Sequence, residues 1–240
     1  MTDLATISRE MAEGLGLTYE PVGVRLIKEG EALPARPPLT EDNLKSYCQA
    51  AVLAGRGRPL LVTRERMGCK LGTTALGMET EVEHYLDDGI LEKYGVGLFA
   101  TEEASAATMQ GAPMLEAGRT RAALIAPLSF FTETPQVLVF LADSEQVMWL
   151  LYAANYDRGG RMDLPQSGGA LGGCADITVF PLLTGQVNVT FLGLGCRVKM
   201  GLDPCHLMLG APGSALTAIH THLQDLAKPI NMLRQSRGKS

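Results

Sequence analysis

The 240-residue chain carries 26 acidic and 21 basic residues, a net charge of −5 at pH 7, and 46% of its residues are hydrophobic. This content is enough for a sizeable core, and the length predicts one domain over residues 1–234 with a disordered tail at 235–240. The acidic balance argues against nucleic acid or an anionic membrane as a partner and favours a small molecule or another protein.

The N-terminus and the apolar runs argue against export and membrane insertion. Charged residues at positions 3, 9, 10 and 13 interrupt the apolar stretch that a signal peptide would need. The longest apolar runs, around 122–128 and 147–154, are far short of the roughly 20 residues that span a bilayer. Five scattered cysteines, an odd number, fit free thiols better than a disulfide framework. We expect a cytoplasmic protein.

The first half of the chain alternates predicted helices and strands. An apolar stripe predicts an N-terminal helix, a strand follows over 21–27, and a second helix with capping residues at 40–43 carries Cys48. A short strand is predicted at 60–63. The stripe of the first helix comprises Leu4, Ile7, Met11 and Leu15.

A glycine-punctuated loop or helix entry over 67–77 contains Cys69. Two helices are predicted after it, over 84–93 and 102–109.

The second half begins with two buried strands, predicted over 122–128 and 137–142. Asp143-Ser-Glu-Gln146 has the pattern of a capping box, and the apolar spacing after it predicts a helix over 144–156. The segment Ser167-Gly-Gly-Ala-Leu-Gly-Gly-Cys174 is the most glycine-dense of the chain.

Two strand-like runs over 176–183 and 188–194 predict a hairpin around Thr184-Gly185. A final amphipathic helix is predicted to end at Pro229. Strands that occur in pairs, without strict βαβ alternation, predict an α+β domain. Its sheet should be mixed or largely antiparallel, with helices mainly on one face.

Cysteines in glycine-rich loops are the main candidates for chemistry. Three or four thiolates from distant segments can bind an iron–sulfur cluster or another thiophilic metal, although no Cys-x-x-Cys spacing occurs. The metal ligands predicted are Cys48, Cys69 and Cys174. Cys48 also fits a small core residue, and each glycine loop also fits a tight turn. Cys69 and Cys174 are expected to lie close together.

Cys196 and Cys205 flank a turn that contains Asp203-Pro204, close enough to bind a metal and equally able to be bystanders. His206 is a further possible ligand.

Glycines and isolated cations near these cysteines suggest a binding site for an anionic group. Gly172 and Gly173 would let a ligand approach the backbone. Arg25, Lys70 and Arg197 lie beside apolar or glycine-rich sequence, where a cation needs an anionic partner, either an internal carboxylate or a ligand. Arg25 and Arg197 are expected to face one cavity.

Several short segments together resemble a bacterial and archaeal family, domain of unknown function 169. They are Pro21-Val-Gly-Val-Arg25, Tyr47-Cys-Gln49, Gly68-Cys69 with Ala75-Leu-Gly77, Gln146-Val-Met-Trp149, Cys174-Ala-Asp176 and Pro181-Leu-Leu-Thr-Gly185. The resemblance implies a stand-alone cytoplasmic domain and no agreed reaction. It supports Cys48, Cys69 and Cys174, whereas Cys196 stands where the family is expected to have a serine and Cys205 has no counterpart.

Three functions remain open. The protein binds a small ligand or a metal cofactor, such as an iron–sulfur cluster at the cysteines. Alternatively, it is a non-metal accessory protein that binds an anionic small molecule or organic cofactor, or a structural homo-oligomer without a ligand. No catalytic constellation can be recognised, so enzymatic activity is undecided.

Overall fold

A computed structural model describes residues 3–32, 34, 44, 46–80 and 97–237. Within this part, the α-helices are α1 Leu4–Leu15, α2 Tyr47–Gly55, α3 Lys70–Ala75, α4 Glu102–Gly111, α5 Ser144–Ala154, α6 Phe180–Thr184, α7 Leu194–Met200, α8 Leu216–Asp225 and α9 Ala227–Arg237. A π-helix spans Gly172–Val179. The strands are β1 Val22–Ile27, β2 Leu60–Thr63, β3 Ala122–Pro127, β4 Val137–Ala142, β5 Asn188–Thr190 and β6 Leu207–Pro212.

The six strands form one sheet in the order β2-β3-β1-β4-β6-β5, and each of its five strand pairs is antiparallel. Strand β1 lies in the interior, where Val24 is opposite Ile125 of β3 on one side and Val137 of β4 on the other. The predicted α+β class and the largely antiparallel sheet are confirmed.

Alternating side chains give the sheet two buried faces. On one face, Val24, Ile125 and Val139 pack with α2, α3 and the π-helix. On the other, Leu138 and Phe140 pack with α1, α5, α8 and α9. Because successive residues of a strand point to opposite faces, strands apolar at every position need cover on both sides. Helices therefore cover both faces, where the sequence led us to expect them mainly on one.

The predicted capping box at the start of α5 is present. Asp143 Oδ1 accepts a hydrogen bond from Gln146 N at 2.8 Å, and Gln146 Oε1 accepts one from Asp143 N at 2.9 Å. The Gln146 amide also donates to the backbone oxygen of Gly16 at 2.9 Å. The capping box thus starts α5, and its Gln146 also forms a hydrogen bond with the end of α1.

The predicted hairpin around Thr184-Gly185 is wrong. Residues 172–184 are helical instead, first as the π-helix and then as α6. Gly185 ends α6 in a left-handed conformation with φ of 69°, and its N–H donates to Pro181 O at 3.0 Å. A short, fully buried apolar run fits either a strand or a buried helix, and only its packing decides between them.

The C-terminal helix predicted to end at Pro229 is followed directly by α9, which extends to Arg237. Pro229 is the third residue of α9, where a proline needs no intrahelical N–H bond. Residues 235–237, predicted to be disordered, belong to this helix, and the last three residues lie outside the described part.

The helix predicted over 84–93 and the capping residues predicted at 40–43 also lie outside the described part. None of the described helices has the length and apolar character needed to cross a bilayer.

Candidate metal centre

Cys48 enters the core in the first turn of α2. Ser46 caps this helix, because its hydroxyl oxygen accepts a hydrogen bond from Gln49 N at 3.2 Å. Cys48 is only 4% exposed and belongs to the core on the α2 face of the sheet. The predicted core position of this residue and a role as ligand are both compatible with this placement.

Cys69 immediately precedes α3 and packs, partly exposed, against the same core. Its backbone oxygen accepts hydrogen bonds from Gly72 N at 3.0 Å and Thr73 N at 3.1 Å. These bonds fix the first turn of α3 and thereby the position at which the Cys69 side chain leaves the backbone.

Cys174 lies in the first turn of the π-helix and is buried. The preceding Leu171 has φ of 56°, a left-handed conformation that is uncommon for a residue with a branched side chain. Its backbone oxygen accepts a hydrogen bond from Cys174 Sγ at 3.5 Å. Backbone strain and π-turns both occur preferentially at functional sites, and here they coincide at a cysteine.

The glycines before Cys174 are required by close packing. A Cβ atom on Gly173 would lie 2.5 Å from Cys48 Sγ, and one on Gly172 would collide with the Thr190 hydroxyl. The groups that approach these glycines are protein side chains, and the predicted role of Gly172 and Gly173 in binding a ligand stays a prediction.

Cys196 lies in the first turn of α7. It is not among the three metal ligands predicted from the sequence. Its Sγ lies 2.7 Å from Cys48 Sγ although 148 positions separate the two residues. This distance is shorter than the about 3.5–4.0 Å of ordinary van der Waals contact between carbon atoms. The expected serine at this position in the family led us to discount it. The available signal was a cysteine between glycines and a cation, a context like that of Cys69.

The four thiols occupy one neighbourhood. The pKa of Cys48 is raised well above its ordinary value by the hydrogen bond with Cys196, then by burial, and then by the charges of Cys196, Cys174 and Cys69. Burial, followed by the charges of Cys69 and Cys196, raises the pKa of Cys174 in the same way. Cys69 and Cys196 thus act electrostatically on both Cys48 and Cys174, and all four cysteines belong to or pack against the same core. A shared metal site at Cys48, Cys69 and Cys174 stays a prediction.

A buried hydrogen-bond network of hydroxyl groups lies next to Cys48 and Cys174. The hydroxyl groups of Tyr47 and Thr178 are 2.7 Å apart, and Thr178 Oγ1 also donates to Gly173 O at 2.8 Å. Burial raises the pKa of Tyr47, and the neighbouring Cys48 and Cys174 add to the effect. The network connects α2 to the π-helix, so it fixes the two elements that hold Cys48 and Cys174.

The cations predicted to bind an anion do not form one site. Arg25 is exposed and alternates in β1 with Val24 and Leu26, which face the cysteines, so it points to the opposite face of the sheet. Arg197 donates from α7 to the backbone oxygens of residues 191, 204 and 206. The expectation that Arg25 and Arg197 face one cavity is therefore wrong.

Lys70 is paired within the protein. Its ammonium group lies 3.3 Å from Glu79 Oε1, and Arg64 Nη1 lies 3.7 Å from Glu79 Oε2. The Thr73 hydroxyl also donates to the Glu79 carboxylate. Glu79 is 8% exposed, so these partners satisfy a buried carboxylate.

The fold and this site define an α+β protein with four cysteines gathered on one face of an antiparallel sheet. The chain belongs to the family of domain of unknown function 169, described as "Uncharacterised ArCR", which matches residues 10–222. The chain is also similar to "Uncharacterized protein MJ0308" of Methanocaldococcus jannaschii, with 27% identity over 229 residues that cover 95% of this chain and 94% of that protein. No solved structure matches the chain.

Proposed function

We propose that this protein binds an iron–sulfur cluster through the thiolates of Cys48, Cys69, Cys174 and Cys196. The observation that carries the proposal is the convergence of these four side chains from four separate elements, with two of the sulfurs 2.7 Å apart. Four cysteine thiolates are the common ligand set of such clusters.

Apolar packing alone explains this arrangement less well. Free cysteine often fills a buried core as a small hydrophobic residue, and Cys48 and Cys174 are buried. Cys69 and Cys196, however, are partly exposed, and both are directed to the same neighbourhood. The site thus reaches from the core towards the surface, as a site that accepts a cofactor after folding requires.

The electrostatics favour a cationic occupant. Without one, burial and the neighbouring thiols raise the pKa values of Cys48 and Cys174, so these two thiols are protonated at neutral pH. A bound metal reverses this balance, because it stabilises thiolates and binding releases their protons. The N-terminal ends of α2 and the π-helix, which hold Cys48 and Cys174, also favour negative charge.

The spread of the thiols favours a cluster over a single ion. A tetrahedral zinc ion with Zn–S bonds of about 2.3 Å holds its sulfurs about 3.8 Å apart. No three of these thiol sulfurs, all from described residues, lie within 4.8 Å of one another. A cluster of several metal ions suits the wider spacing. With either occupant, the Cys196 thiol would have to turn away from Cys48.

Anaerobic reconstitution with ferrous iron and sulfide tests the proposal. We expect bound iron and acid-labile sulfide, and a visible absorption band that bleaches on reduction. Replacing Cys48, Cys69, Cys174 or Cys196 singly by serine should lower the iron content severalfold, because a hydroxyl is a poor ligand for soft metals. Cys205→Ser is the matched control, since Cys205 is exposed and its thiol interacts with Asp203 rather than with the four thiols.

Two results would overturn the assignment. The first is a wild-type protein that retains no iron above the level of a protein without cysteines. The second is equal loss of acid-labile sulfide in Cys205→Ser and Cys48→Ser. Binding of zinc without iron would contradict the cluster specifically.

The alternative of an anion-binding accessory protein has less support. Lys70 and Arg64 are paired with Glu79, and the Arg197 guanidinium binds backbone oxygens. Arg25 lies on the other face of the sheet. A structural homo-oligomer without a ligand stays a prediction.

A further inference from the structure

A second group of metal-binding side chains lies between α7 and β6, apart from the four thiols. Asp203, Cys205 and His206 each offer one ligand atom, and these three atoms all lie within 4.8 Å of one another. Carboxylate, thiolate and imidazole are the ligand types that zinc takes in proteins. Asp203 and Cys205 are exposed and His206 is half-buried, so solvent can reach the group.

The backbone of this segment is held in place. Cys205 N donates to Asp203 Oδ1 at 2.9 Å, and His206 N donates to Asp203 O at 3.0 Å. From outside the turn, the Arg197 guanidinium donates to Pro204 O at 3.2 Å and to His206 O at 3.0 Å. The three side chains therefore project from a fixed turn, which lowers the entropic cost of ordering them around an ion.

An unsatisfied imidazole nitrogen is an independent sign of a missing partner. His206 Nδ1 is buried and has no hydrogen-bond partner among the described residues. The ring itself is positioned, because its edge packs on Tyr19 with ring centroids 5.5 Å apart. Most buried polar atoms in proteins are paired, so a partnerless nitrogen on the ring that contributes an atom to this group points to a ligand.

The surrounding charge also favours a cation. The carboxylates of Asp203 and Asp143 both lie close enough to the exposed Cys205 thiol to act on it electrostatically. The Arg197 guanidinium opposes this field, but its N–H groups are directed at backbone oxygens. Two carboxylates and one guanidinium surround the turn, so these charged groups together are net negative.

We propose that Asp203, Cys205 and His206 form a binding site for one zinc-class divalent cation, with its remaining coordination positions open to solvent. The thiolate and imidazole select zinc, cobalt or nickel over magnesium and calcium, which prefer oxygen ligands. Three protein ligands with an open position are the arrangement of zinc sites that bind a water or a substrate. This site shares no ligand with the four thiols and does not depend on the iron–sulfur proposal.

Protection of Cys205 from alkylation tests the site directly. The protein is treated with iodoacetamide at increasing zinc concentration, and labelling is measured on the Cys205 peptide by mass spectrometry. Trypsin separates this peptide from Cys196, because Arg197 and Lys199 lie between the two cysteines. At a zinc concentration ten times Kd, labelling should be about tenfold slower, because only unbound thiol reacts.

The variants make the result specific. Asp203→Asn and His206→Ala should each weaken zinc protection at least tenfold, whereas His222→Ala, which removes a histidine outside the group, should retain it. Magnesium should give no protection. Circular dichroism checks folding, and Asp203→Asn decides the case if His206→Ala unfolds. Equal labelling with and without zinc, or full protection in folded Asp203→Asn, would overturn the proposal.

Discussion

Replacing Gly173 by alanine tests the geometry of the thiol site directly. The new Cβ would lie 2.5 Å from Cys48 Sγ, a separation that a real Cβ cannot adopt, so either the thiol or the π-helix must shift. Overpacking of this kind costs about 1–3 kcal/mol. Replacing a helical glycine by alanine by itself raises the free energy of unfolding by about 0.5–1 kcal/mol. We therefore expect a net loss of about 1–2 kcal/mol.

For a chain of this size, each kcal/mol lowers Tm by about 2–4 °C, so Gly173→Ala should melt about 2–8 °C below wild type. Gly195→Ala is the matched control, because Gly195 is also a helical glycine next to a site cysteine and has open space where its Cβ would be. This control should melt at or slightly above the wild-type temperature. Iron content after reconstitution should fall in Gly173→Ala and be retained in Gly195→Ala.

A double mutant separates the steric effect from general destabilisation. Cys48→Ala removes the sulfur that meets the new methyl group, so Cys48→Ala/Gly173→Ala should lose less stability than the sum of the single variants. The expected coupling is about 1 kcal/mol or more, as for side chains in contact. Additive effects, or equal melting temperatures for Gly173→Ala and Gly195→Ala, would refute the contact between Gly173 and Cys48.

Three further predictions concern the surroundings of the site. Tyr47→Phe should lower the free energy of unfolding by about 1–2 kcal/mol in denaturant titrations, and Thr178→Val by more, because Thr178 loses two hydrogen bonds. A smaller loss in Thr178→Val would argue against the network. The metal-free protein should lose stability as pH rises above about 8.5, because the raised pKa values of Cys48 and Cys174 mean that the folded state holds protons that the unfolded state releases. Each thiol contributes up to about 1.4 kcal/mol per pH unit, and a flat profile up to pH 10 would contradict the burial of these thiols. Lys70→Ala should cost under about 1 kcal/mol and leave the iron content unchanged, because Lys70 is 48% exposed and pairs with Glu79; a large loss of iron would assign Lys70 to the site.

The sequence by itself was sufficient for features that depend on local patterns. The capping box of Asp143 and Gln146 predicted the start of α5, since its hydrogen bonds join residues only three apart. The apolar strands predicted the antiparallel sheet, and the family was recognised from short segments in a fixed order. Cysteines in glycine-rich segments directed attention to Cys69 and Cys174, both of which pack in the core on one face of the sheet.

Tertiary structure alone decided the features that depend on distant partners. The buried run after Gly172 fits a strand or a helix, and packing against α2 and the sheet makes it helical. Arg25 could have faced either side of β1, and the register of the sheet turns it away from the cysteines. Cys196 meets Cys48 across 148 positions, a contact to which no local pattern contributes. The four thiols come from four separate elements, so they meet only when the sheet and its helices pack together.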